Sequence, residues 1–271
     1  MKYRLFLSDF DGTLVRADGR ISETNKRAIS RYTEGGGVFA VVTGRMLSSI
    51  LPRLGELGLT QGLVVAYQGA VVADVKTGKI VRSAHFAAGD ALRAVKALEE
   101  ENHHIHVYTP QGLIANRRDA LLEVYEKVCG VKGEISNEPL SELLARENPP
   151  VYKVLAMLEP QKKAALKARL EEKLGEGFFV TCSSEWLVEI MPAGQNKGEA
   201  VKFLSQYYKI PLAETAAIGD QLNDLPMLLA AGGRFTVANA EGELKEIAAC
   251  MPSNEEDGVA AAIEIAMEEE A

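Results

Sequence analysis

Two carboxylates stand two residues apart near the start of the chain, in Asp9-Phe10-Asp11-Gly12-Thr13, directly after the apolar run Leu5-Phe6-Leu7. Residues at i and i+2 of an extended chain point to the same side. A bend at Gly12 then lets both acids reach one site. Acidic oxygens with no basic residue between them suit a hard cation such as Mg²⁺. The same letters also describe a strand end followed by an Asp-Gly turn, so the rest of the chain has to decide.

Three further clusters carry possible chemistry. The apolar run Val38 to Val42 ends in Thr43-Gly44-Arg45, ahead of a helix expected from Met46. A strand end, a small turn and a helix start offer an anion backbone N–H groups and a hydroxyl, although a simple helix cap has the same composition. Asn196-Lys197-Gly198 opens a helix expected to reach about Tyr207, with Asn196 as its N-cap. Lys197 is there either a charge partner or a solvated lysine. Thr215 to Ile218 ends in Gly219-Asp220-Gln221-Leu222-Asn223-Asp224, a second carboxylate cluster, and a helix follows from about Leu225.

These clusters need strands whose ends share one edge. Leu5–Leu7, Val38–Val42, Leu63–Ala66 and Thr215–Ile218 are apolar without alternation, as buried parallel strands are. Open α/β sheets bind ligands at the carboxyl ends of such strands. Between them lie helices, one from Ser22 as N-cap to about Glu34. Gly35-Gly36-Gly37 ends it and is not a phosphate loop, since no G-K-[ST] follows. Val71–Ala73 and Ile80–Ser83 read as a hairpin.

The middle of the chain has a different rhythm. Helices are expected over Ala88–Glu101, Ala120–Val128 and from Pro160 to Leu174. Strands are expected over Ile105–Tyr108, Val151–Leu158, Phe178–Thr181 and Leu187–Ile190, while Glu134 to Pro150 shows little pattern. This reads as a separate α+β unit over 83–187, inserted into a doubly wound, Rossmann-like parallel-sheet α/β core formed by 1–82 and 188–271. The two connections are expected to act as hinges. After a strand at Arg234–Val237, helices are expected up to Ala248 and over Asp257–Met267, with Glu268–Glu270 as a frayed end.

Composition excludes several classes. The chain has 271 residues, 47% apolar and 25% charged, with 30 basic against 38 acidic residues and a net charge of −8. That argues against a nucleic-acid or anionic-membrane surface. No apolar run approaches the ~20 residues needed to span a bilayer, and Asp9 interrupts the only apolar run near Lys2 and Arg4, so no signal peptide is expected. Cys129, Cys182 and Cys250 are widely spaced and read as small buried hydrophobes in a reducing compartment. The expected location is the cytoplasm. His103, His104 and His106 contain an H-x-H pair that could hold Zn²⁺, but surface or cap-lining histidines are favoured because no further ligand is evident. Trp186 is expected to pack where the inserted unit returns to the core.

Taken in order, Asp9/Asp11, Thr43, Lys197 and Asp220 with Asn223 and Asp224 resemble the haloacid dehalogenase-like superfamily, close to its Cof-type subgroup with a type IIB cap. The resemblance covers essentially the whole chain. It implies that Asp9 is a nucleophile forming an aspartyl-phosphate, and that Asp11 is the general acid and then base. It implies that Thr43 and Lys197 complete the catalytic set, with Gly12, Thr43, Gly44 and Lys197 holding the phosphate. Mg²⁺ would be bound by Asp9, by the backbone carbonyl of Asp11 and by Asp220, with Asn223 and Asp224 as ligands through water or as supports of the ligands. Superfamily members that cleave carbon–halogen bonds lack the second Asp, so Asp11 points to phosphate chemistry. Similar proteins often carry Asn-Gly-Ala where this chain has Gln68-Gly69-Ala70.

The implied activity is Mg²⁺-dependent hydrolysis of a small phosphorylated metabolite, a sugar phosphate or a similar ester, by a monomer or small homo-oligomer with no nucleic-acid or membrane partner. Three other readings remain at this point: a sugar phosphomutase, a non-catalytic sugar-phosphate sensor, and a phosphoacceptor receiver domain. Four chemical groups retained together argue against the sensor. The receiver would need neither the ~100-residue insert nor the Asp-x-Asp-Gly-Thr turn.

Overall fold

The computed structural model describes residues 1–268. Glu269 and Glu270, within the expected frayed end, lie outside the described residues. The chain divides into two compact units, Met1–Arg82 with Asn196 onward, and Ser83–Gln195.

In chain order, the first unit begins with β1 (Leu5–Ser8), α1 (Glu23–Glu34), β2 (Val38–Val41), α2 (Leu47–Leu54), β3 (Leu63–Ala66), β4 (Val71–Asp74) and β5 (Ile80–Ser83). The second unit holds α3 (Asp90–Glu99), β6 (His104–Thr109), β7 (Gly112–Ala115), α4 (Ala120–Cys129), β8 (Gly133–Ile135), α5 (Leu140–Glu147), β9 (Lys153–Met157), α6 (Lys163–Leu174), β10 (Phe178–Ser184) and β11 (Leu187–Pro192). The chain then returns to the first unit through α7 (Lys197–Tyr208), β12 (Thr215–Gly219), α8 (Leu225–Ala230), β13 (Gly233–Val237), α9 (Gly242–Lys245), β14 (Ala249–Met251) and α10 (Gly258–Met267).

The first unit is built on a parallel sheet in the order β14-β13-β12-β1-β2. An isolated parallel bridge from Val42 to Val65 sets β3 beside β2, and β3-β4-β5 then continue as a three-stranded sheet. The unalternating apolar strands are explained by burial on both faces. Leu5 and Leu7 pack with Val201 and Leu204 of α7 and Leu228 of α8. Phe6, between them, faces the other way, toward Ile29 and Tyr32 of α1 and Ile263 of α10. Ser22 caps α1, its hydroxyl accepting from the Asn25 N–H, and Asn196 caps α7 in the same way through Glu199.

The second unit has a six-stranded sheet in the order β10-β11-β9-β6-β7-β8, antiparallel except between β7 and β8. One face is apolar: Ile105, Val107, Val154 and Ile190 pack on Val95 and Leu98 of α3, Leu144 of α5 and Leu170 of α6. The opposite face carries polar groups. His104, His106, Tyr108, Lys153 and Glu189 are all buried. Lys153 and Glu189 form an ion pair at 2.7 Å. His104 Nδ1 lies 2.9 Å from Asp119 Oδ2, His104 Nε2 lies 2.8 Å from His106 Nε2, and the hydroxyls of Tyr108 and Tyr125 are 2.7 Å apart.

Several expectations are corrected here. β11 pairs with β9 and β10, so residues 188–195 belong to the second unit and the return comes at 196 instead of 188. The stretch 110–147 holds β7, β8 and α5, which short length and a Pro139 N-cap without a side-chain bond had concealed. Where a helix through Ala248 was expected, α9 is a single turn and β14 forms a sheet edge. His104 and His106 are both buried and not at the surface: Tyr125 of α4 lies against His106, ring centroids 4.9 Å apart, and Asp119, which caps α4, meets His104. Cys182 is buried, but Cys129 is half-buried and Cys250 exposed on the edge strand. Trp186 is 48% exposed and so does little packing.

Candidate active site

β1 and β12 are neighbours, and their connections depart in opposite directions. β1 leads outward to β2 and β3, while β12 leads to β13 and β14. Strand order reverses between them, which opens a crevice at their carboxyl ends. Asp9 follows β1 directly and Asp220 follows β12 directly. The Asp9 N–H donates to the Ile218 carbonyl at 3.0 Å, which keeps the two loops in step. The turn after Asp11 requires glycine: Gly12 has φ +77°, and a Cβ there would collide with the Asp220 carboxylate. Thr13 reaches the same carboxylate, its hydroxyl donating to Asp220 Oδ1 at 2.7 Å. The Asn239 side chain donates to the Gly12 carbonyl at 2.8 Å and ties the turn to the end of β13.

Lys197 enters from the first turn of α7 and is fully buried. Its Nζ donates to Asp9 Oδ1 and, at 2.6 Å, to Asp224 Oδ1. The other Asp224 oxygen accepts from the backbone N–H groups of Asp220 and Gln221, at 2.9 and 3.1 Å. Asp224 is therefore occupied as a structural acceptor and holder of the lysine. Burial works against the charge on Lys197, but Asp224 and Asp9 outweigh it and hold its pKa above the ordinary lysine value. Burial raises Asp9 well above the usual carboxyl range; Lys197 opposes this, while Asp224 and Asp220 add to it. Asp220 is raised by burial and by Asp224, against the Thr13 hydrogen bond and Lys197.

One carboxylate oxygen from each of Asp9, Asp220 and Asp224 lies within 4.8 Å of the others. Three buried acids face one buried lysine, so the cluster lacks positive charge, and uncompensated buried charge is costly. The Asn223 Oδ1 atom is also buried and has no partner among the described residues. An acceptor without a donor, one residue along the chain from a member of that acid cluster, fits a small oxygen-ligated divalent cation with bound water.

The second loop brings in Thr43, Gly44 and Arg45. Thr43 is buried; its N–H donates to Val65, its carbonyl accepts from Gln68 N–H, and its hydroxyl accepts from Arg45 N–H at 3.1 Å. A Cβ on Gly44 would strike the Gln68 amide. The Asp11 carboxylate does not join the acid cluster. Arg45 holds it bidentately, Nε to Oδ2 at 2.7 Å and the terminal nitrogen to Oδ1 at 2.6 Å. Arg45 itself is only 7% exposed, lies 5.2 Å from the Phe10 ring and reaches Ser49 Oγ at 3.3 Å. Sequence reasoning gave Arg45 no role. The signal available was its place two residues after Thr43, where a side chain can reach back to the first loop.

Fold and site together define an enzyme class, and residues 6–263 match the family of haloacid dehalogenase-like hydrolases, so the chain belongs to that family. Its parallel-sheet core with a separate, mainly antiparallel sheet unit is the Rossmann-like fold with a cap. An HMP-PP phosphatase of Yersinia pseudotuberculosis is 28% identical over 245 residues, 90% of this chain and 87% of its own. The structure of a haloacid dehalogenase-like hydrolase from Bacillus subtilis is 28% identical, with a TM-score of 0.86 over 96% of this chain and 99% of its own. The subclass IIB sugar phosphatase BT4131 is 16% identical with a TM-score of 0.84, over 97% and 98% of the two chains, a likeness of fold.

Proposed function

We propose that this protein is a Mg²⁺-dependent phosphatase that hydrolyses a small phosphate monoester, a sugar phosphate or a related metabolite, through an aspartyl-phosphate on Asp9. The observation that carries the reading is the Asp9 carboxylate at the crevice end of β1, bonded to a buried lysine and flanked by two further buried acids. Asp9 and Asp220, with the Asp11 backbone carbonyl, are the residues that would hold the cation, and Asn223 would support it through water. Bound there, the cation supplies charge that offsets repulsion between carboxylate and phosphate.

The chain's own groups do the rest. An Asp9 oxygen attacks phosphorus and the bond to the ester oxygen breaks; Asp11 gives the leaving oxygen its proton. Asp11 then takes a proton from the incoming water, which attacks phosphorus and frees Asp9 and inorganic phosphate. Both Asp11 oxygens are engaged by Arg45, so the acid role requires Asp11 to release at least one contact when the ester binds. Thr43 and the backbone at Gly12 and Gly44 are assigned to the phosphoryl oxygens. Lys197 balances charge on Asp9 and the transferring group, since phosphoryl transfer depends mainly on positioning and charge. The inserted unit is assigned the selection of the leaving group.

The test is phosphate release from a panel of sugar phosphates and other phosphorylated metabolites, with and without Mg²⁺, for wild type beside Asp9→Asn. Metal-dependent release that disappears in Asp9→Asn is expected. Release that survives the substitution overturns the nucleophile. Tight binding of one ester with no release from any of them overturns the phosphatase.

A further inference from the structure

Gln68 has no place in the chemistry described so far, yet its surroundings hold it to one position. It sits between β3 and β4, 1% exposed, with a left-handed backbone at φ +59°. For a long side chain that conformation is disfavoured and persists only where surrounding contacts hold it. Those contacts are specific. Its N–H donates to the Thr43 carbonyl at 3.0 Å, and its side-chain amide occupies the space that glycine leaves at position 44. Its Oε1 accepts from Asn223 Nδ2 at 3.0 Å.

That last bond fixes which end of the Asn223 amide faces where. A side-chain amide has a donor end and an acceptor end. With Nδ2 committed to Gln68, the remaining atom is Oδ1, and it is buried without a partner among the described residues. Asn223 lies one residue from Asp224 and three from Asp220, both members of the acid cluster. An amide turned the other way would offer N–H groups where a cation or its water needs an acceptor. Gln68, presenting Oε1, accepts from the donor end and holds the amide the first way round.

We propose that Gln68 is a positioning residue that locks the Asn223 amide with its oxygen free, and that it thereby sets the cation affinity of the Asp9–Asp220–Asp224 cluster. The inference rests on the cation reading of that cluster given above. Partners of metal-supporting groups are typically worth about 10- to 100-fold in metal affinity. Gln68 acts on the metal only through Asn223, so its effect must vanish when Asn223 is absent.

The experiment is a double-mutant cycle read by Mn²⁺ binding to the purified, substrate-free protein, using the paramagnetic resonance signal of free Mn²⁺. Gln68→Met keeps the length and removes the acceptor. It is expected to weaken Mn²⁺ binding about 10-fold or more, as is Asn223→Ala. The double variant should bind no worse than Asn223→Ala alone. Gln68→Gly, which suits the left-handed backbone, repeats the cycle should the Met variant fold poorly. Additive losses, or full affinity in both Gln68 variants, overturn the proposal while leaving the cation site intact. Absence of Mn²⁺ binding by wild type overturns the cation reading and this inference with it.

Discussion

Arg45 and Asp11 face each other fork to fork, a buried guanidinium on a half-exposed carboxylate, with both nitrogen–oxygen distances at or below 2.7 Å. The pair holds the proposed proton-transfer group outside the acid cluster, and the proposed role requires at least one of its two contacts to open when an ester binds. Asp11→Asn is expected to lower kcat on alkyl phosphates by about 10²- to 10⁴-fold, the usual worth of general acid–base catalysis. The loss should shrink on an aryl phosphate whose leaving group needs no proton. Arg45→Ala should cost less than Asp11→Asn on the same alkyl ester. Steady-state kinetics on the two ester types checks this; equal losses on both would remove Asp11 from the leaving-group step.

Among the described residues, Lys197 is the single buried cation touching Asp9 and Asp224. Lys197→Met leaves their carboxylates buried and unpaired, a change that typically costs about 3–5 kcal/mol. Urea unfolding without metal should show that loss as a lower midpoint. Added Mg²⁺ should raise the variant's melting temperature more than it raises that of wild type, because the ion then supplies charge the lysine no longer does. An unchanged midpoint would mean the ion pair is not formed in solution.

Gly12 combines a positive φ with a close approach to Asp220. Gly12→Ala must strain the turn and push the Asp220 carboxylate aside. A stability loss of about 1 kcal/mol or more is expected from the backbone alone. Mn²⁺ affinity and phosphate release should fall together. Thermal unfolding and metal titration of the variant measure the two effects separately.

Glu126 gives the second unit a dependence on pH. Its carboxylate accepts from Arg118, from Lys132 at 2.7 Å and from the Gly133 N–H at 2.9 Å. Those bonds, the Arg118 one foremost, hold its pKa down to about 2 from an ordinary 4.5. The unfolded chain therefore takes up this proton first as pH falls. The stabilisation is complete above 4.5 and is lost between there and about 2. Glu126→Gln should destabilise the protein at neutral pH and close the gap to wild type by pH 2. Urea titrations of both proteins at several pH values across that window test the sign.

The placement of Asp9, Asp220, Thr43 and Lys197 was legible because each follows a uniformly apolar strand or opens a capped helix. Those local patterns fix which edge of the sheet a residue occupies. Arg45 and Gln68 were not, because their roles come from contacts 34 and 155 residues away along the chain, to Asp11 and to Asn223. The same holds for His104 and His106, which meet Asp119 and Tyr125 of a separate helix and its cap. β7, β8 and α5 were missed for a different reason: they are three to eight residues long and polar in part, so no period has room to show. The shift from 188 to 196 reflects strand pairing, since β11 has the same apolar letters as a core strand and only its partners place it.

The buried histidine pair on β6 has a sense of direction. Asp119, whose pKa is held down to about 2 against the cost of burial by Arg117, the Leu122 N–H and His104, can only accept, so His104 Nδ1 carries a hydrogen. Burial disfavours a second proton on either imidazole. His104 Nε2 is then bare, and His106 Nε2 must carry the hydrogen that lies between them. Each ring is left with a single tautomer, opposite to the other, and the bonds run one way from the sheet interior to the helix start. A second proton on His104 has only Nε2 to go to, where it meets the His106 N–H, so that ring can be charged only if His106 first moves its own hydrogen to Nδ1, toward the Tyr108 hydroxyl.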